Sequence, residues 1–396
     1  MKIAHLSDLH LGIRQYQRQT QTGINQREAD VANAFRKAVD GIIGVKPDIV
    51  LIGGDIFHAV RPGNTAILHA FTQFSRLVEA LPDAIIVMVE GNHDKPRTRE
   101  AGNIIRLFRT LGITVVDSEA KRLSFRDGEV SILTVPALVY PRPALDPDPS
   151  ARYNILLIHE LLEGVSKRYG SLAERTDRTL TIKELNLDKW DYVALGHYHV
   201  YRKIAAKAYY SGSIEYTSTN IWGEMDEQIE HGIRGKGFIE HDLETGAHKF
   251  HVLPLARRVV DLTPIQAANL TSAELSDAIC GRVDAVDGGV DDLVVRLVVW
   301  DVPRHILRDL DHRRIREYKR RALHFLLDAR RPQPVPLTSS AGGAPGRRAS
   351  LRETVRAMLE ARTVTPGIDR AQLVDRGLQY LDEAERLAPA ITGDEA

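Results

Sequence analysis

Cysteine is nearly missing from this chain: Cys280 is the only one in 396 residues. One thiol excludes an internal disulfide framework and a thiolate metal cluster, so any metal is held by nitrogen and oxygen. Cys280 itself reads as a small buried apolar residue. Net charge is also missing, since 53 Lys and Arg balance 53 Asp and Glu. Global electrostatics therefore give no signature of nucleic-acid binding. No apolar run approaches the roughly 20 residues that span a bilayer. The opening Met1 to Asp8 reads as a strand entering a site rather than a signal peptide. A soluble, cytoplasmic protein is expected.

What is present is 43% apolar content, enough for two or three ordinary cores, and a recurrence of ligand-type residues at strand ends. Runs that read as buried parallel strands are Ile3 to Leu6, Ile49 to Ile52, Ile85 to Val89, Ile155 to Ile158 and Tyr192 to Leu195. They lead respectively into Asp8-Leu9-His10, Gly54-Asp55, Gly91-Asn92-His93-Asp94, His159-Glu160 and Gly196-His197-Tyr198-His199. Ligands bind at the carboxyl ends of strands in open α/β sheets, so these motifs are expected to converge on a metal centre.

Residues 1–255 alternate strand and helix signals and form a layered α/β domain. Asn25 with Glu28 resembles a capping box before the helical spacing Ala32, Phe35, Val39, Ile42. Further helices are predicted over Thr65 to Leu81 and Asn103 to Leu111, and a proline-rich loop over Pro136 to Ser150. Residues 256–331 read as a small second domain: strand Val259 to Leu262, helix Leu270 to Ile279, strand Leu293 to Val299, helix Leu310 to Leu327. Arg304 to Arg331 carries ten basic and four acidic residues; this is a nucleic-acid or partner surface, or a solvated helix face. Residues 332–350 have linker composition. Residues 351–388 hold two short amphipathic helices that need a docking surface, on a partner or on the chain itself.

A pair of divalent ions about 3.5 to 4 Å apart needs a bridging carboxylate, and Asp55, ending a central strand after two glycines, is the best candidate. Asp8 and His10 alternate around Leu9, so extended backbone would point both one way to chelate one ion, as would His197 and His199 around Tyr198. Asn92 offers an amide oxygen and His159 another imidazole. Such ligation without thiolate suits Mn, Fe or Zn better than Mg or Ca. His93, next to Asn92, is a candidate general acid with Asp94 holding its tautomer; the competing reading is that it only hydrogen-bonds substrate. His58 either reaches substrate or satisfies a loop. Arg14, Arg18, Arg61, Lys95, Arg97 and Arg99 follow the metal motifs as phosphate contacts or as solvated surface.

Together these motifs resemble those of the calcineurin-like metallophosphoesterases. The runs Ser7-Asp8-Leu9-His10-Leu11-Gly12, Gly54-Asp55-Ile56-Phe57-His58 and Tyr210-Ser211-Gly212-Ser213-Ile214-Glu215 are similar to those of the SbcD-type double-strand-break repair nucleases. The resemblance implies an α/β fold, a layered β-sandwich flanked by helices, with a small α+β capping domain and a helical tail. It implies two Mn2+ per chain, with Fe or Zn as alternatives. One ion would be held by Asp8, His10, Asp55 and His199, the other by Asp55, Asn92, His159 and His197. It further implies exonuclease and endonuclease action on DNA ends and hairpins in a nucleoid-associated complex. The homodimer would form through the helices at Thr65 to Leu81 and Asn103 to Leu111. An SbcC-type coiled-coil ABC ATPase would dock on the tail, and the capping domain would position DNA. The rivals are a phosphodiesterase for small or cyclic nucleotides and a nonenzymatic DNA-end scaffold. The extra domain and tail speak against the first, the complete ligand set against the second.

Overall fold

The computed structural model describes residues 1–96, 102–165, 180–332, 350–361 and 369–387. Arg97, Arg99, residue 388 and nearly all of the predicted linker lie outside the described residues. The chain divides into two compact units, Met1–Pro332 and Gln333–Ala396.

In chain order the first unit lays down β1 (Lys2–Leu6), α1 (Gln26–Val45), β2 (Ile49–Ile52), α2 (Asn64–Ala80), β3 (Ile85–Val89) and β4 (Thr114–Val116). Next come β5 (Lys121–Phe125), β6 (Val130–Val135), β7 (Tyr153–His159), β8 (Tyr192–Gly196), β9 (Arg202–Ala205) and β10 (Ala208–Tyr210), then α3 (Ile221–Glu230), β11 (Gly237–Asp242) and β12 (His248–Val252). These strands make two six-stranded sheets, ordered β12-β11-β1-β2-β3-β4 and β5-β6-β7-β8-β10-β9. The central pairs are parallel in both.

Central strands read as unbroken apolar runs because both of their faces are covered. On the outer face of the first sheet, Ala4, Leu6, Val50, Ile52 and Met88 pack with Phe35 and Val39 of α1 and Phe74 and Leu77 of α2. On its inner face, Ile3, Leu51, Val87 and Val89 meet Ile132, Ile155, Leu157 and Tyr192 of the second sheet. The five predicted strands are therefore shared between two facing sheets, three in one and two in the other. The Asn25 side chain caps α1 through the Arg27 and Glu28 amides, but Glu28 does not complete the box; its carboxylate accepts from Arg14 Nε at 2.9 Å. Over Ile104–Leu111 the predicted helix is of the 3₁₀ type.

A third layer follows in the same unit: β13 (Val259–Gln266), α4 (Ser272–Asp284), β14 (Val294–Trp300), α5 (Arg304–Arg308), α6 (His312–Arg321) and β15 (His324–Ala329). Its three strands are parallel, in chain order. The helix predicted over Leu310 to Leu327 is thus corrected: it stops at Arg321, and His324–Ala329 pairs with Val294–Val299. Leucine and alanine favour helix locally, but pairing and burial against a sheet edge override that weak preference. Tyr16, Tyr216, Trp222, Val294 and Leu323 pack this layer against the sandwich.

In the second unit, α7 (Leu351–Ala361) and α8 (Arg370–Leu387) pair, with Val374 and Leu378 buried and Leu359 lying against Gly377. No helix among the described residues is long and apolar enough to cross a membrane.

Candidate metal centre

β1 ends at Leu6, and the chain then runs beside the segment that follows β2. Asp8, His10 and Leu11 donate their backbone N–H groups to the carbonyls of Gly54, Asp55 and Ile56 at 2.9 to 3.0 Å. Asp8 and His10 come together here, but not by strand alternation: their φ angles are 54° and 46°. Asp55 (51°) and His197 (97°) share this left-handed backbone, a conformation costly for such residues and concentrated at functional sites. Glycine is required where these turns touch. A Cβ on Gly91 would fall on the Asp55 carboxylate, and one on Gly196 on the Gly53 carbonyl.

Two donor clusters result. In the first, His10 Nε2 lies 3.0 Å from His199 Nε2 and 3.7 Å from Asp55 Oδ2, and His199 Nε2 is 3.8 Å from Asp8 Oδ1. In the second, Asn92 Oδ1 is 3.0 Å from His159 Nε2 and 2.9 Å from His197 Nδ1, with His159 Nε2 3.6 Å from Asp55 Oδ2. Asp55 Oδ2 is common to both. The two histidines of Gly196-His197-Tyr198-His199 therefore face different clusters, contrary to the alternation argument, because the left-handed His197 turns the chain.

Bonds of about 2.1 Å at tetrahedral or octahedral angles separate neighbouring donors by roughly 3.0 to 3.4 Å. These clusters sit at or slightly beyond that spacing, so the residues fit a pair of divalent ions. Electrostatics agree. Burial raises Asp8 to about 6 despite His159, with Asp55 adding to the rise. Burial pushes His197 down to about 4 and holds His10 and His199 well below the ordinary histidine range, the latter aided by the Lys236 charge. Those three imidazoles are thus unprotonated donors at neutral pH. His159 differs: against full burial, the Asp55 and Asp8 carboxylates raise it. Its Nδ1 meets the Gly53 carbonyl at 2.6 Å, which leaves Nε2 for the cluster.

His10, Asp55, His58, Asn92, His93, His197 and His199 line a cavity of about 40 Å³, room for ions and water rather than a nucleotide. A wider cavity, about 940 Å³, opens beside Asn103, Arg106 and Asp117, but among the described residues no imidazole lines it, and the chemistry stays with the smaller one. His93 Nδ1 is 2.9 Å from the His58 carbonyl, and the His58 ring stacks on His93 at 5.4 Å. Asp94 does not hold His93. Its buried carboxylate accepts from the Ile56, Phe57 and Gly91 amides at 3.0 to 3.1 Å, fastening the two ligand loops together, and burial with Asp55 nearby raises it to about 7.

The basic candidates separate. Arg18 bonds to Asp292 and the Arg320 and Arg321 carbonyls, and Lys95 to the Ala137 and Leu138 carbonyls; both are committed to the fold. Arg14 and Arg61 remain exposed, Arg14 while paired with Glu28. On α6, Arg314 and Arg321 pair with Asp284 and Asp291, whereas Arg313, Arg316, Lys319 and Arg320 are exposed. Sequence reasoning missed Thr217, whose hydroxyl lies 3.4 Å from His199 Nδ1, and the buried polar block behind His199. No local signal marks either one.

Residues 1–201 match the calcineurin-like phosphoesterase family. Among curated relatives, the DNA double-strand break repair protein Mre11 of Methanocaldococcus jannaschii is 26% identical over 246 residues, 60% of this chain and 61% of that protein. The Mre11 of Methanopyrus kandleri is 26% identical over 264 residues, 61% of this chain and 54% of that protein. The Mre11 of Aeropyrum pernix is 35% identical over 101 residues, 25% and 22%. The chain spans less than two thirds of the length of these relatives.

Proposed function

The chain belongs to the calcineurin-like phosphoesterase family, and from that premise we propose that it is a metal-dependent nuclease of DNA double-strand-break repair. The observation that carries this reading is the shared Asp55 Oδ2, 3.7 Å from His10 of one donor cluster and 3.6 Å from His159 of the other, in the cavity that His93 also lines. The relatives named as DNA double-strand break repair proteins support the substrate class. Asp8, His10, Asp55 and His199 would hold one Mn2+, and Asp55, Asn92, His159 and His197 the other. When bound, such a pair activates water near neutral pH and neutralises charge on a phosphodiester. His93 donates its Nδ1–H to the His58 carbonyl, so that its imidazolium form would carry a second N–H at Nε2, and that proton would pass to the departing oxygen, leaving the neutral ring. His58 braces that imidazole through its carbonyl and its stacked ring.

DNA ends and hairpins would lie over the cavity mouth, met by Arg14, Arg61 and the exposed cations of α6. Homodimerisation would use α2, where Leu68 is exposed, and the neighbouring 3₁₀ helix. The α7–α8 hairpin, with Leu351, Met358 and Tyr380 exposed, would dock on an SbcC-type ATPase in a cytoplasmic, nucleoid-associated complex. Deleting residues 350–396 is expected to abolish that binding.

The decisive assay incubates the purified chain and His93→Ala with Mn2+ on linear duplex and hairpin DNA, beside bis-p-nitrophenyl phosphate. Degradation of DNA by the wild type, lost in His93→Ala with metal content retained, is the expected result. Hydrolysis of the small ester without attack on DNA, even with an SbcC-type ATPase supplied, would make the enzyme a small-substrate phosphodiesterase.

A further inference from the structure

Behind the His197-Tyr198-His199 turn the core is polar. α3 buries Glu224, Glu227 and Gln228, where a helix against a sheet ordinarily buries apolar side chains. Glu227 accepts from the Tyr198 hydroxyl, and Gln228 from the Tyr216 hydroxyl at 2.7 Å. Glu224 pairs with Lys236, whose Nζ also donates to the His199 carbonyl at 2.8 Å and to Ser213 Oγ at 3.1 Å. The Ser213 amide donates to the same His199 carbonyl at 3.0 Å. Three N–H donors of one ammonium thus meet three acceptors, in a side chain 1% exposed. Desolvating such a pair offsets most of its attraction, so stability alone is weak grounds for placing it there. What it does achieve is geometric: it clamps the backbone of one metal-ligand candidate.

We propose that Lys236 is a positioning residue that fixes His199, and so sets the affinity of the metal position formed by Asp8, His10, Asp55 and His199. Among the described residues its hydrogen bonds go to His199, Ser213 and Glu224, and none to Asn92, His159 or His197. The effect is therefore asymmetric between the two positions. This inference rests on the two-metal reading of the site. Groups that orient a ligand from behind commonly change metal affinity about 10- to 100-fold when removed.

The test is Mn2+ binding to the full chain, followed by calorimetry and by the electron spin resonance of free Mn2+. Lys236→Met strands the Glu224 charge, so the double variant Lys236→Met/Glu224→Gln, which leaves no lone buried charge, is measured with it. Leu275→Ala, in the third layer, controls for general destabilisation. The wild type and Leu275→Ala are expected to bind two Mn2+. In the double variant one position keeps its affinity and the other weakens about 10- to 100-fold. Two unchanged positions in the folded double variant, or equal weakening of both, would overturn the role of Lys236. A wild type that binds no divalent ion would instead overturn the metal reading itself.

Discussion

At the carboxyl ends of β1, β2 and β8, residues with left-handed backbone are buried or nearly so and bear the candidate ligands Asp8, His10, Asp55 and His197. In the third layer the left-handed residues Asp292, exposed, and Asp301, half-buried, lie outside the strands, in connections that bear no candidate ligand. The crevice buries Asp8, His10, Asp55, Asp94 and His159, while among the described residues no buried polar or charged side chain falls between 256 and 331. The layer is held by apolar packing of Leu275, Ile279, Val295, Leu297 and Phe325. One region thus accepts strain and concentrated charge that packing elsewhere must offset; the other follows the ordinary rules of folding. Local violations of those rules mark functional sites more sharply than any single residue type.

The sharpest way to break this contrast is Asp55→Asn. Loss of the shared carboxylate is expected to cost about a thousandfold or more in phosphodiester hydrolysis, from the several kcal/mol that metal-assisted charge neutralisation supplies. Metal-free stability should change little, because the repulsion that adds to the burial-driven rise of Asp8 and Asp94 is removed together with the attraction that raises His159. A large drop in the metal-free denaturation midpoint would make the crevice a structural feature. The converse is Leu275→Ala, a fully buried position, expected to cost about 2 to 5 kcal/mol of stability with Mn2+ stoichiometry intact. Urea titration with and without Mn2+ reads both.

A third prediction concerns the interface between the sheets. His5 is fully buried, its Nδ1 3.2 Å from the Tyr192 hydroxyl and its Nε2 without a partner, and burial pushes it down to about 3. The unfolded chain takes up that proton near pH 6.5, so the unfolded state binds more protons between about 6.5 and 3. Stability from the neutral imidazole is complete above that window and falls as pH falls through it. His5→Phe should remove about 2 to 3 kcal/mol of the loss between pH 7.5 and 4.5. An identical acid limb in both proteins would assign the whole effect to other groups, such as His241 and His248, which burial also holds near 4.

The strands and ligand motifs were readable because strands covered on both faces are written as apolar runs, and the residues just past them had few roles but the site. Side-chain convergence was less readable. Asp8 and His10 meet through two left-handed residues, which no spacing rule encodes. His93 takes its orientation from a backbone carbonyl, a group every residue carries, and the acid beside it serves the loops instead. Lys236 looks like a surface lysine; only the fold brings it to Glu224 and His199. β15 was hidden by helix-favouring residues that a neighbouring strand recruits.

The smallest expected effect lets one chemical device be compared in both regions. Thr271 and Glu274 form a complete capping box at α4, with the Thr271 amide 2.9 Å from the Glu274 carboxylate and the Glu274 amide 3.3 Å from Thr271 Oγ1. Thr271→Ala should cost about 1 kcal/mol, be restored by Thr271→Ser, and leave Mn2+ binding untouched. Asn25 caps α1 with the same chemistry, but its amide also donates to the Gln15 and Tyr16 carbonyls at 3.3 and 3.0 Å, in the loop that begins at the ligand His10. Asn25→Ala is therefore expected to lower stability by a similar amount and to weaken Mn2+ binding as well, which calorimetry of the two variants side by side would separate. Equal metal affinity in both would mean that the loop is anchored by Arg18 and the Tyr16–His324 stack rather than by the cap, and that the crevice depends on the third layer for its shape.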